Sequence, residues 1–150
     1  MGFRPDYRLR QKGALQISAA PYEYTPLKKS YPWAWHRRMI RDVRRAQPLF
    51  AGDYYPLTGC TPGTDQWAAY QMHRPDLGEG LVMALRRQDS PFGEATFRLQ
   101  GLKPRSVYEV EDADSGRKVR VAGRKLMEEG IKVSLKSAPE SRLIFYRVVR

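Results

Sequence analysis

The sequence predicts a mainly β protein, in which an antiparallel β-sandwich follows one amphipathic α-helix and an irregular N-terminal segment. Two observations beyond Phe50 predict the strands: apolar and polar residues alternate with a period of two, and turn-forming residues recur about every ten positions. A third observation predicts the helix, because apolar residues upstream recur at spacings of three and four. The change of period divides the chain into an N-terminal segment, residues 1–48, with its helix at 32–47, and a β-sandwich at 49–150.

The first part of the N-terminal segment shows no sustained pattern. The apolar residues of Ala14–Ala20 are interrupted by Gln16 and Ser18, so we do not expect this segment to be a signal peptide. We expect residues 1–31 to be irregular, because they contain four residues that interrupt regular structure: Pro5, Gly13, Pro21 and Pro26.

The predicted helix has one apolar stripe and one basic face. Trp35, Met39 and Val43 recur every four residues and therefore lie on one side of a helix. Pro32 suits the first turn, and Pro48 marks the end because proline has no N–H group to continue the helix. The remaining arc is occupied by arginines: Arg37, Arg38, Arg41, Arg44 and Arg45.

Six to eight short strands are predicted after the helix. Each has one apolar face, and strands of this kind bury their inner faces against another sheet. Asp114-Ser115-Gly116 is typical of a hairpin turn, since glycine tolerates a positive φ. The predicted apolar faces are Ala68/Tyr70/Met72, Leu81/Met83/Leu85, Phe97/Leu99, Tyr108/Val110, Val119/Val121, Ile131/Val133/Leu135 and the strand Leu143–Val149.

Composition narrows the class of protein. A length of 150 residues suits one compact domain, and Cys60 is the only cysteine, which excludes an internal disulfide and a four-cysteine zinc site. The net charge of +11 is concentrated in residues 1–50, which hold eleven Lys and Arg against three Asp and Glu. No run of about 18 apolar residues is present, so we expect no membrane span and a cytoplasmic location.

The sequence gives no support to catalysis by a serine or cysteine triad or by a metal. His36 and His73 are the only histidines; we interpret both as structural or exposed, and neither forms a metal-ligand spacing with Cys60. No Walker pattern or other phosphate-binding glycine loop is present. We therefore assign no catalytic residue, no cofactor and no metal.

Two glutamates are the residues that come closest to a glycosidase pair. Glu109 and Glu111 are alternate residues of one predicted strand, so their Cα atoms lie about 6.6 Å apart on one face. Glycosidases use two carboxyl groups that lie about 5–5.5 Å apart for retention or about 6.5–9.5 Å apart for inversion. That face is opposite Tyr108 and Val110, however, and we interpret it as a solvated face whose charges keep the sheet soluble.

The stretch from Leu49 onward resembles the C-terminal β-sandwich of melibiase-type α-galactosidases, glycoside hydrolase family 36. The similar blocks follow one another over about a hundred residues, and their order makes the resemblance more specific than any single block. They are Gly52–Thr58, Trp67–Pro75, Gly80–Arg87, Ser90-Pro91, Leu99–Leu102, Tyr108–Val110, Asp114–Gly116 and Gly123–Met127.

The resemblance implies a non-catalytic accessory domain. In that family a catalytic (β/α)₈ barrel precedes the sandwich, and its last helix corresponds to residues 32–47. The catalytic carboxylates belong to barrel strands, and no position of this sequence matches their motifs. The stripe of Trp35, Met39 and Val43 is then expected to lie against the sandwich, a barrel or a second copy of the chain.

Two further partners are compatible with the sequence. Exposed aromatic residues such as Trp67, Tyr54 or Tyr55 are candidates for binding carbohydrate. The arginine-rich helix, with Trp33 and Trp35, has residue types that also bind single-stranded nucleic acid, but a solvated basic face explains it better, so we do not expect that partner.

Overall fold

The predicted helix is present. The computed structural model describes residues 32–59 and 63–149; the segment 1–31 and Cys60 lie outside the described residues. The first helix, α1, spans Trp33–Ala46, one residue shorter at each end than predicted. No helix of the described residues is long and apolar enough to cross a membrane.

A 3₁₀ helix, Gln47–Ala51, continues directly from α1 and leads into the first strand. Pro48 lies within this 3₁₀ helix, so the α-helix ends just before it, as predicted. Pro32 occupies the N-cap position of α1 and gives no side-chain hydrogen bond to the helix.

The strands form two antiparallel sheets of unequal size, which confirms the predicted mainly β architecture. The larger sheet has the order β1-β2-β3-β8-β5-β6 and the smaller one has β4-β7. The last strand therefore lies in the middle of the larger sheet. The strands are β1 (Asp53–Pro56), β2 (Ala68–Arg74), β3 (Glu79–Arg86), β4 (Glu94–Phe97), β5 (Val107–Asp112), β6 (Lys118–Ala122), β7 (Ile131–Ser134) and β8 (Glu140–Val148).

Two local features connect these strands. Gly116 has a φ of +70° and donates from its N–H to the carbonyl of Asp112 (2.7 Å), which confirms the predicted turn between β5 and β6. A short helix, α2 (Gly123–Glu128), lies between β6 and β7 and was not predicted. Six residues are too few to show a helical period, although Leu126 of this helix is buried.

The larger sheet buries apolar residues on both of its faces. One face packs on the small sheet and forms the sheet-side core, which includes Val82, Phe97, Val110, Val133 and Ile144. The other face is covered by the end of α1 and by the 3₁₀ helix. This second, helix-side core consists of Ala46, Leu49, Leu81, Met83, Leu85, Leu143 and Phe145.

The prediction that Leu81, Met83 and Leu85 face the second sheet is wrong. They lie in the helix-side core, and their neighbours Val82 and Ala84 face the small sheet instead. The same holds for Ala68, Tyr70 and Met72, which pack partly buried on the helix-side core. Strand alternation identifies residues that share a face, but it does not identify the element that covers that face.

Candidate functional site

A buried cluster of polar side chains lies in the larger sheet, where β2, β3 and β8 are adjacent. The amide of Gln71 donates to the hydroxyl of Tyr146 (2.8 Å), and that hydroxyl lies 3.1 Å from Nδ1 of His73. Gln71 also bonds the backbone of Gln100 in both directions, each at 2.8 Å. Gln71 and His73 are 0% and 2% exposed, so this polar cluster is closed to solvent and to substrate.

A glycine makes room for the polar cluster. A Cβ atom at Gly80 would overlap the hydroxyl of Tyr146 and the carbonyl oxygen of Met72. Gly101 has a φ of +71° and brings its backbone beside the His73 ring. The backbone therefore encloses the cluster, and hydrogen bonds within the protein satisfy its polar atoms.

The protonation states in the polar cluster are those of a structural network. Burial lowers the pKa of His73, and hydrogen bonds with the backbone at Glu79 and Gly101 act in the other direction without restoring it. Burial raises the pKa of Tyr146 above its ordinary value. A neutral imidazole and a neutral phenol result at neutral pH, and neither is placed to exchange a proton with a bound substrate.

Glu109 and Glu111 lie on the face of β5 opposite the sheet-side core, as predicted, but they are not freely solvated. Glu111 accepts two hydrogen bonds at 2.9 Å from Arg45 of α1, and Glu109 accepts from Arg147 at 3.0 and 3.2 Å. The Nζ atom of Lys118 lies 3.4 Å from Oε1 of Glu109 and 3.5 Å from Oε2 of Glu111. Each glutamate side chain is only 18% exposed, because cationic side chains cover it.

These ion pairs lower the pKa of both glutamates, which is the opposite of what an acid catalyst needs. The hydrogen bond from Arg45 lowers the pKa of Glu111, and partial burial offsets this only in part. Partial burial raises the pKa of Glu109, but the bonds from Lys118 and Arg147 outweigh it and bring the pKa below its usual value. A glycosidase acid needs a raised pKa so that it holds its proton near neutral pH.

Arg45 joins the end of α1 to the larger sheet. Its guanidinium bonds Glu111 and also lies 4.0 Å from the centre of the Phe145 ring, a cation–π contact. Ala46 and Leu49 follow it into the helix-side core. The C-terminal end of the helix is thus docked on the sandwich, whereas Trp33 at its other end is 45% exposed.

The apolar stripe of α1 is only partly open. Met39 is buried, and Trp35 and Val43 are half-buried. On the basic face Arg37, Arg41 and Arg44 are exposed.

The aromatic residues that are candidates for carbohydrate binding differ in their solvent exposure. Trp67 is buried, its indole N–H donates to the carbonyl of Phe92 (2.9 Å), and its ring contacts Phe97. The expectation of an exposed Trp67 is therefore wrong, because the second sheet covers it. Tyr54 is 58% exposed and lies beside Tyr70 with ring centres 5.8 Å apart. Tyr55 is half-buried and bonds Asp53 (3.4 Å).

Metal binding finds no support in the described part of the chain. Within residues 32–59 and 63–149, no group of three His, Cys, Asp or Glu side chains is arranged to hold a metal ion. His36 lies on α1 with its ring 6.1 Å from that of Trp33, and His73 belongs to the polar cluster. The two histidines are thus held in separate elements.

Sequence reasoning missed Gln71 and Tyr146. Gln71 occupies the polar phase of β2, which the alternation assigned to solvent, and its partner Tyr146 is 75 positions away. The sequence nevertheless contains a signal for this cluster. In β3 the residues that point to either side of the sheet are apolar, whereas in the neighbouring β2 the residues that point to one side are polar. Such a β3 indicates a sheet buried on both faces.

Residues 67–145, more than half of the chain, match the family described as the glycosyl hydrolase family 36 C-terminal domain. No curated protein matches the chain.

Solved structures of α-galactosidases have the same fold. The galactosidase domain of an α-galactosidase–sucrose kinase is 25% identical over 82% of this chain, with a TM-score of 0.64. An α-galactosidase of Geobacillus stearothermophilus in complex with stachyose is 22% identical over 85% of the chain, with a TM-score of 0.68. One from Lactobacillus brevis is 15% identical over 81%, with a TM-score of 0.62. In each case this chain spans 17% of the other protein.

Proposed function

This chain belongs to the family of glycosyl hydrolase family 36 C-terminal domains, and from that premise we propose that it is a non-catalytic accessory domain that packs on and stabilises a glycosidase barrel. A (β/α)₈ barrel takes at least about 200 residues, more than the whole chain offers. The catalytic carboxylates of such an assembly would therefore come from a barrel that is not part of these residues.

The observation that carries this proposal is the state of the three half-buried acidic residues of β5. Glu109, Glu111 and Asp112 all accept hydrogen bonds from arginines of the same chain. The pKa values of the two glutamates are lowered, so neither is poised as a general acid. The cations that hold them stabilise the sheet and the docked helix.

Within this proposal, residues 1–48 correspond to the end of a barrel and residues 49–150 to the accessory sandwich. Arg45, Ala46 and Leu49 fix the end of α1 on the larger sheet. These contacts fix the orientation of the C-terminal end of the helix on the sandwich. A segment that connects two packed domains needs such a fixed orientation. The stripe of Trp35, Met39 and Val43 is the surface through which we expect α1 to meet the barrel or a second copy.

Hydrolysis of an aryl α-galactoside tests the absence of catalysis. We expect the purified chain to release no nitrophenol from 4-nitrophenyl α-galactoside above the buffer blank, with a complete family 36 α-galactosidase as the positive control. Turnover at an enzyme-like rate that co-purifies with the monodisperse protein would overturn the proposal.

Complementation tests the packing role. A family 36 α-galactosidase whose own C-terminal domain has been deleted is co-expressed with this chain, and complex formation is measured by co-purification. We expect a complex that Trp35→Ala weakens and that Arg44→Ala, a change on the exposed face of the same helix, leaves intact. If both variants retained the barrel equally, the stripe would not be the contact surface.

A further inference from the structure

An open cleft remains where the two sheets do not cover each other. The small sheet has two strands against six, and residues of β7 line the cleft together with residues of β5 and β8 and of the β5–β6 hairpin. The cleft between them has a volume of about 390 Å³, in the range of small-molecule sites. Its floor is apolar and is formed by Val110, Val119, Ile131, Val133 and Ile144.

The charged residues around this floor are mostly basic. Arg117, Lys132 and Arg142 line the cleft, and Asp112 is its one carboxylate in the described part of the chain. Asp112 is fully engaged: Oδ2 accepts from Arg142 (2.9 Å), and Oδ1 accepts from the backbone N–H groups of Asp114 (2.8 Å) and Ser115 (3.2 Å). Its charge is therefore compensated and does not repel an anion at the opening.

The other two cations differ in their partners. Lys132 forms an ion pair across the small sheet, with its Nζ atom 2.7 Å from Oε2 of Glu94. Arg117 makes no ion pair with any of the residues that the structure describes, and it is exposed beside Val119, which is itself 41% exposed. A guanidinium without an ion pair in the described part of the chain thus lies next to uncovered apolar surface, an arrangement that suits a ligand with both an anionic and an apolar part.

We infer that this cleft binds a small carboxylate with an apolar chain, with the carboxylate at Arg117 and the chain on the floor that includes Val119 and Ile144. Charge complementarity selects this occupant. A second copy of the chain has a net charge of +11, and residues 1–31 are also predominantly basic, so both meet unfavourable charges here. The inference does not require a barrel partner.

Titration with octanoate, followed by amide resonances in NMR spectra, tests the inference. Octanoate is expected to shift resonances of β5, β6 and β7 in a saturable manner. Octanol lacks the charge and acetate lacks the chain, and each is expected to bind at least about tenfold more weakly. Absence of saturable shifts with millimolar octanoate overturns the site, as does binding of octanol with the affinity of octanoate.

Paired variants separate the cleft from general surface effects. Arg117→Gln is expected to weaken octanoate binding about tenfold, while Arg120→Gln, an equal change of charge on β6 outside the cleft lining, leaves it unchanged. Val119→Thr tests the floor, and Val107→Thr is its control because Val107 is 43% exposed outside the cleft. Equal affinities within either pair would contradict the assignment.

Discussion

The two faces of the larger sheet are buried by different means. The helix-side core is apolar and compact, with ion pairs such as Arg45–Glu111 at its margin. The sheet-side face adds to its apolar residues the buried polar cluster of Gln71, His73 and Tyr146. Apolar packing stabilises the helix-side face, whereas the sheet-side face is stabilised by apolar packing and also by hydrogen bonds, which require a specific geometry. One sheet thus combines a face that docks a helix with a face that fixes the position of its strands.

The largest effect is expected from truncating neighbouring residues of β8 that point to opposite faces. Phe145→Ala should lower the free energy of unfolding by about 3–5 kcal/mol and Ile144→Ala by about 2–5 kcal/mol, because each leaves a cavity. Urea denaturation of both variants measures the losses. A loss below about 1 kcal/mol for Phe145→Ala alone would mean that the helix does not cover its face in solution.

A smaller effect is expected from the polar cluster. Gln71→Leu keeps the volume but leaves the backbone of Gln100 without its partner and removes one of the hydrogen bonds of the Tyr146 hydroxyl, which keeps His73, at a cost of about 1–3 kcal/mol. The matched control is Gln100→Leu, whose exposed side chain is not part of the network and whose cost should stay within about 0.5 kcal/mol. Equal unfolding midpoints in urea for the two variants would show that the cluster does not specify the fold.

The smallest effect is a dependence of stability on pH through His73. Its folded pKa is lowered, so the unfolded state binds more protons, and stability falls as the pH drops below 6.5. The slope from one proton is at most about 1.4 kcal/mol per pH unit, and carboxylates titrate below about pH 5. Unfolding free energies measured between pH 7.5 and 5 should lose this slope in His73→Gln but keep it in His36→Gln. Retention of the slope in His73→Gln would contradict the assignment.

The sequence predicted the fold class well because period-two alternation and turn residues are local signals. The helix end before Pro48 and the turn at Gly116 follow from the chemistry of single residues. The coverage of the β2 and β3 faces was predicted wrongly, as at Leu81, because it depends on elements far away in the chain, whereas faces such as Tyr108/Val110 were predicted correctly. The polar cluster was missed for the same reason, since Gln71 becomes a core residue only through Tyr146. The absence of catalytic residues stays a prediction.

The central position of β8 has a consequence for how the protein acquires its structure. β8 pairs with β3 on one side and with β5 on the other, although it follows both of them in the chain. Until it leaves the ribosome, the hairpin of β2 and β3 and that of β5 and β6 have no sheet in common. Two strand edges therefore stay unpaired until β8 joins them, and unpaired edges of this kind favour pairing with other chains.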